Sequence, residues 1–208
     1  ARGNESAPDR IAGQSLVDCA SDLNSDNRVV RLRAIRTLGV FGKPAAEALI
    51  AAQSHDDAAV RFLAATHLGR LRGESLDRAI PKLKQLALTN IEEGETSNPE
   101  SVQMAAAYAM CEAGKIADYL PILIRFVKDP RRGHSCYASD LIGRLGPPAA
   151  AATQTLEATY QSNRPDLRNG DYHIGAAARN ALRKVKGDEH RETRLTFFDK
   201  SLSSCGEA

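Results

Sequence analysis

The chain has 208 residues, with 42% hydrophobic and 26% charged side chains, the balance of a folded chain that stays in water. Its 28 basic and 26 acidic residues leave a net charge of +2, which gives no global field for nucleic acid or an anionic membrane. No run of eighteen apolar residues exists, so membrane insertion is not expected, and with aromatics at 5% and no Trp the core must be built from small and aliphatic side chains.

In chain order, residues 1–10 (ARGNESAPDR) read as a disordered N-terminal segment, 11–187 as the folded domain, and 188–208 as a C-terminal cap or linker tail. The sequence opens on Ala1 rather than Met. A removed signal peptide, a preceding domain or an artificial start all fit, so the compartment stands open between export to the periplasm and the cytoplasm. Within the folded part, SLVDCASDL is an apolar helical pattern, followed by DNRVVRLRAIRTLG from Asp26. AAEALIAAQ precedes DDAAVRFLAATHLG from Asp56, and IPKLKQLAL precedes VQMAAAYAMC from Val102. YLPILIRFV then leads to HSCYASDLIG from His134, and AAAATQTLEATY to IGAAARNALR from Ile174. Gly42-Lys43-Pro44, Gly73, Gly114 and Gly146-Pro147-Pro148 punctuate the helix ends, with Asp26 or Asp56 near the start of the next helix.

The second helix of each pair keeps one frame. Counting from Arg31, offset zero is Arg31, Arg61, Gln103, Ser135 and Gly175. Offset three is Ala34, Ala64, Ala106, Ala138 and Ala178, alanine in every copy. Offset seven is Leu38, Leu68, Met110, Ile142 and Leu182, and offset minus one is Val30, Val60, Val102, His134 and Ile174. Steps of three and four place these on one helix face. A helical hairpin recurring every 30 to 45 residues or so cannot bury that face alone, whereas a stack can. The expected fold is all-α, a right-handed α-solenoid (superhelix) of about five helical hairpins, with the alanine needed where helices cross closely.

The frame Val30-Arg31…Ala34…Leu38-Gly39…Gly42 resembles the HEAT repeat, of the bacterial type named after phycobilisome lyases. That resemblance implies a ladder of hydrogen bonds between Asp and Arg of successive repeats, matched by Asp26/Arg31 and Asp56/Arg61. Because the later copies carry Gln103, Ser135 and Gly175, the ladder is expected to break after the second unit, and the repeated Arg is read as architectural rather than catalytic. The succession from VRFLAATHLG to IGAAARNALRKV is also similar to HEAT regions attached to exported planctomycete-like sulfatases. The Cys/Ser-x-Pro-x-Arg motif of a sulfatase is absent, so the chain would be an accessory part of such an enzyme.

Catalytic signatures are missing. Deoxyhypusine hydroxylase shares this architecture but binds di-iron through His-Glu dipeptides, and here only the reversed Glu189-His190 occurs. His55, His67, His134 and His173 are scattered, without the spacing that puts two ligands on one helix face. HEAT-like DNA glycosylases use a basic, aromatic groove, which this composition does not offer. No phosphate loop or nucleophile elbow is present. Cys19, Cys111 and Cys136 read as buried small hydrophobes and Cys205 as an exposed thiol. The acidic loop from Thr89, with Glu92, Glu93 and Glu95, reads as solvated surface, and the stretch from Gln161 to His173 as an extension of the rim.

The expected function is a non-enzymatic protein-binding scaffold without cofactor or metal. The binding face is expected on the inner surface of the second helices. Offset two supplies Arg33, Leu63 and Tyr137; offset five supplies Arg36, Thr66, Tyr108, Asp140 and Asn180; offset nine supplies Arg70, Glu112, Arg144 and Lys184. Arg and Tyr are enriched at protein interfaces. The alternatives are an accessory C-terminal domain of a larger exported hydrolase and a lyase or hydroxylase subunit. Ala105, one residue before the invariant offset, is expected to face outward.

Overall fold

The computed structural model describes residues 9–71, 73–89 and 100–188. The acidic residues Glu92, Glu93 and Glu95, Cys205, and most of the terminal segments at 1–10 and 188–208 lie outside them. A two-stranded antiparallel hairpin, β1 (Arg10–Ile11) and β2 (Gln14–Ser15), opens the described chain. Its turn places Ala12 and Gly13 at φ 50 and 80, the left-handed pair that a two-residue hairpin turn requires. The Arg10 guanidinium clamps the turn by donating to the Gly13 carbonyl at 2.7 Å. Ile11 packs against the core, and Gln14 donates to Asp22 at 2.7 Å. The hairpin thus closes the open side of the first repeat, the role a solenoid needs at its end.

Paired helices follow. The first pair is α1 (Leu16–Asp22) and α2 (Arg28–Phe41), and the second is α3 (Ala46–Ala52) and α4 (Ala58–Leu68). A one-turn helix α5 (Glu74–Asp77), not foreseen in the sequence, leads into α6 (Ile80–Leu88) and its partner α7 (Glu100–Glu112). The fourth pair is α8 (Ile116–Val127) and α9 (Arg132–Leu145), and the fifth is α10 (Thr153–Ser162) and α11 (Tyr172–Val185). Local chemistry explains the ends. Ser15 and Asp18 form a reciprocal capping box on α1, and the side chains of Asn27, Asp57 and Asp171 accept from the second helical N–H of α2, α4 and α11. The caps are therefore Asn27 and Asp57, one residue beyond the expected Asp26 and Asp56. Gly42 and Gly146, at φ 67 and 65, end α2 and α9 in a conformation open to glycine, and Pro follows each within two residues.

The five alanines at offset three, Ala34, Ala64, Ala106, Ala138 and Ala178, are all 0% exposed. Each second helix packs on its own first helix and on the second helices of its neighbours. The stack is thus an α-solenoid of five helical hairpins. A second rule sets how closely the rows approach. A Cβ on Gly39 would lie 2.3 Å from the His67 ring, one on Gly69 3.1 Å from Ala109 Cα, and one on Gly143 3.1 Å from Ala181 Cα. In each case offset eight of one unit meets offset six of the next, so the Gly after the repeated aliphatic marks a helix crossing, at Gly69 one that coincides with the end of α4.

Candidate functional site

Offset zero faces the turn inside each hairpin, and in the first four units its Arg, Arg, Gln and Ser share one task. Arg31 donates to the carbonyls of Ser25 (2.8 Å) and Asp26 (3.0 Å), and Arg61 to those of His55 (2.7 Å) and Asp56 (2.9 Å). Gln103 donates to Ala87 and Thr89 carbonyls at 2.9 and 3.1 Å, and the buried Ser135 hydroxyl to Val127 at 2.7 Å. In the first two units these carbonyls belong to the turn after the first helix, and in the third and fourth to the C-terminal end of that helix, where no later helical N–H can satisfy them. In the last unit Gly175 makes room for a substitute. Asn163 donates to Thr159 at 2.9 Å, accepts from Asp171 N–H at 2.9 Å, and sets its own carbonyl where a Cβ on Gly175 would lie 2.2 Å away. Gly175→Ala is accordingly expected to destabilise the protein by about 1–2 kcal/mol, although the same change in an open helix gains roughly 1 kcal/mol. A urea melt decides, and a stabilised variant would refute the shared role of offset zero.

Among the described residues Arg61 meets no carboxylate of the third unit, so the Asp/Arg ladder breaks after the second unit as expected, but ion pairs resume beyond it. Between the first and second units the carboxylate is that of Asp57, bound by Arg31 at 3.0 Å and Arg28 at 3.2 Å, while Asp26 and Asp56 contribute backbone carbonyls. Farther along, Arg131 binds Glu100 at 2.9 Å, Arg125 donates to Gln103 at 2.9 Å, and Arg132 binds Asp171 at 2.7 Å. Beyond the break the ion pairs use the capping residue and the first helical residue, positions outside the repeated frame. Burial pushes the Asp57 carboxyl up, but the Ala59 N–H and the two guanidiniums outweigh it and hold it below the ordinary range. The Arg132 guanidinium does the same for Asp171. These charges are used up in the scaffold.

On the other long face of the second helices lie the residues predicted to bind. Arg33, Arg36, Arg70, Arg144, Asn180 and Lys184 are exposed, and Leu63, Thr66, Glu112, Tyr137 and Asp140 are half-buried. Tyr108 is a correction, being only 8% exposed, and Ala105, expected to face outward, is 0% exposed. The cause is a ring contact. Phe62 of α4 and Tyr137 of α9 sit with centroids 5.7 Å apart, spanning from the second unit to the fourth across α7. Helices two units apart can touch over the one between them only if the row curves toward this side, so this face is concave. Under the bridge, Met104, Ala105 and Tyr108 are buried. The Tyr137 hydroxyl is buried too, and burial raises its pKa.

The charges on this face are unevenly used. Arg144 binds Asp140 at 2.7 Å, an i,i+4 pair, and Arg33 approaches Asp22 at 3.9 Å. Among the described residues, Arg36 and Arg70 have no acidic partner within salt-bridge distance. Both act on His67, whose ring nitrogens are buried without hydrogen-bond partners. Burial first, then Arg70 and Arg36, lower its pKa to about 4. Val40, one turn beyond Arg36, is 69% exposed. The sequence reading passed over it because an apolar residue at an outward offset carries no polar signal. Elsewhere, Cys19 and Cys111 are buried and Cys136 half-buried, with burial raising the Cys111 thiol to about 12. Among the described residues no three His, Cys, Asp or Glu side chains converge as a metal would need, and no helix is long and apolar enough to cross a membrane.

Residues 15–95 match the family model described as HEAT repeats. No curated protein matches the chain. Among solved structures, an engineered protein is 17% identical, with coverage of 83% of this chain and 79% of that one and a TM-score of 0.48. The complex of CpcE and CpcF of phycocyanin lyase from Nostoc sp. PCC7120 is 18% identical, with coverage of 82% of each chain and a TM-score of 0.42. The match covers the first two helical pairs and α6, and the same paired-helix unit continues through α11.

Proposed function

We propose that the protein is a non-enzymatic scaffold that binds a protein partner along the concave row of second helices. The observation that carries this reading is the curvature enforced by the Phe62–Tyr137 bridge, which makes a trough bordered by Arg36, Arg70, Arg144, Asn180 and Lys184. A concave surface bordered by Arg and polar side chains suits a protein ligand, Arg being enriched at protein interfaces. The described residues assemble no catalytic constellation along it, which favours binding over chemistry. The accessory-domain and lyase-subunit alternatives rest on resemblance, and each would use the same trough to hold another protein.

Photo-crosslinking tests the face. A photoreactive residue substituted at Asn180 or at Arg144 is expected to capture a discrete partner from lysate of the source organism. The same residue at Lys84, exposed on α6 of the first-helix row, is expected to capture none. Equal capture from Lys84 would move the binding surface off the trough.

A further inference from the structure

On the trough reading, we infer that its first two repeats form a docking site for an acidic, partly apolar peptide segment of the partner, held by Arg36 and Arg70 with Val40 beside them.

Three observations converge. Most basic groups placed in the turns and on the last repeats are spent: Arg31 and Arg28 on Asp57, Arg131 on Glu100, Arg132 on Asp171, Arg144 on Asp140. Arg36 and Arg70, by contrast, come from adjacent second helices, are exposed, and lie among the described residues without an acidic partner. Their relative placement is set by the crossing of α2 and α4. The His67 ring lies where a Cβ on Gly39 would be, and Arg36 is one turn before Gly39 while Arg70 is one turn after His67. The two guanidiniums therefore project from a rigid joint, and both charges reach the His67 ring.

Two like charges held near each other on a concave wall repel, and an anionic side chain relieves that repulsion while gaining paired, charge-assisted hydrogen bonds. Val40 supplies apolar contact on the same helix face, four residues from Arg36, so the segment that fits carries carboxylates flanked by an aliphatic residue. The His67 ring is a built-in reporter. A carboxylate seated between Arg36 and Arg70 cancels the charges that help to hold the ring neutral, and its pKa must rise on binding.

The experiment uses the full chain and a fluorescent peptide of Glu-Glu-Leu repeats, with a Lys-Lys-Leu repeat as the control. Saturable binding of the acidic peptide is expected at low ionic strength, weakening as salt is added. Arg36→Gln with Arg70→Gln should weaken it roughly tenfold or more, and Lys84→Gln, off the trough on α6, should leave it within about twofold. By NMR, the His67 titration should move to higher pH when the peptide saturates the wild-type protein. Absent saturation, equal loss from Lys84→Gln, or binding with an unmoved His67 titration would each overturn the site. A partner crosslinked from Asn180 or Arg144 together with no acidic-peptide binding would sink this site alone and leave the trough reading standing.

Discussion

Ala106→Leu is expected to lower the unfolding free energy by about 3 kcal/mol, the upper part of the range for overpacking a closed core. Ala106 lies at the one offset that is alanine in every repeat and fully buried in every repeat. Its helix, α7, is held on four sides by α4, α6, α8 and α9. A Leu there has no cavity to enter, so it must adopt a poor rotamer or push two helices apart. The matched control is Ala117→Leu on α8, which is exposed and should shift stability by only a few tenths of a kcal/mol. Because each repeat leans mainly on its neighbours, damage at the third unit should make the urea transition broader or split it. Comparable melts for the two variants would mean that the offset-three contact is not what sets helix spacing.

Mild acid should unfasten the first two repeats. His67 titrates near 6.5 in an unfolded chain and at about 4 in the folded one, chiefly because its ring is buried and secondarily because of Arg70 and Arg36. The unfolded state therefore takes up a proton that the folded state refuses. The associated stability is complete above about pH 6.5, drains away as pH falls toward 4, and amounts to about 3 kcal/mol at most. The carboxyls of Asp57 and Asp171, held below their ordinary range, lose their contributions at lower pH, below about 4. The two windows hardly overlap. Thermal melts of wild type and His67→Gln between pH 7.5 and 4.5 isolate the histidine: wild type should lose stability across that span and the variant should lose far less. Parallel curves would show that the ring is not held neutral.

How much of this could be read from the sequence follows from the range of each interaction. Helix pairing, the alanine crossings and the number of hairpins were legible because they repeat at fixed offsets along one helix. The burial of Ala105 and Tyr108 was not, since those positions are covered only when the second and fourth units curve together through Phe62 and Tyr137. Curvature belongs to the stack and leaves no mark on a single repeat. The ion-pair ladder was legible as far as its break after the second unit, and its resumption was missed for a different reason. Its later rungs use Glu100, Arg131, Arg132 and Asp171, which stand just outside the frame being aligned, so replacement at offset zero looked like loss. The Ala12-Gly13 hairpin escaped notice because a left-handed Ala is an unusual first residue for such a turn. Among the predicted face residues, the exposed arginines were found by offset alone. Which of them are free of internal partners required the structure.

The glycine contacts between rows also govern how the molecule yields to force. Three of the four joints between second helices place Gly39, Gly69 or Gly143 against the following helix. At the joint between α7 and α9 the equivalent residue is Cys111 and its opposite number is Leu141, and those two helices pack less extensively than α9 and α11 do. Stiffness is thus graded along the stack, with the most compliant joint at its middle. Phe62 and Tyr137 lie across that joint as a tie on the concave side, so tension opening the trough must first part the two rings, whereas compression only presses them together. The stack is thereby an asymmetric spring, softer to closing than to being straightened.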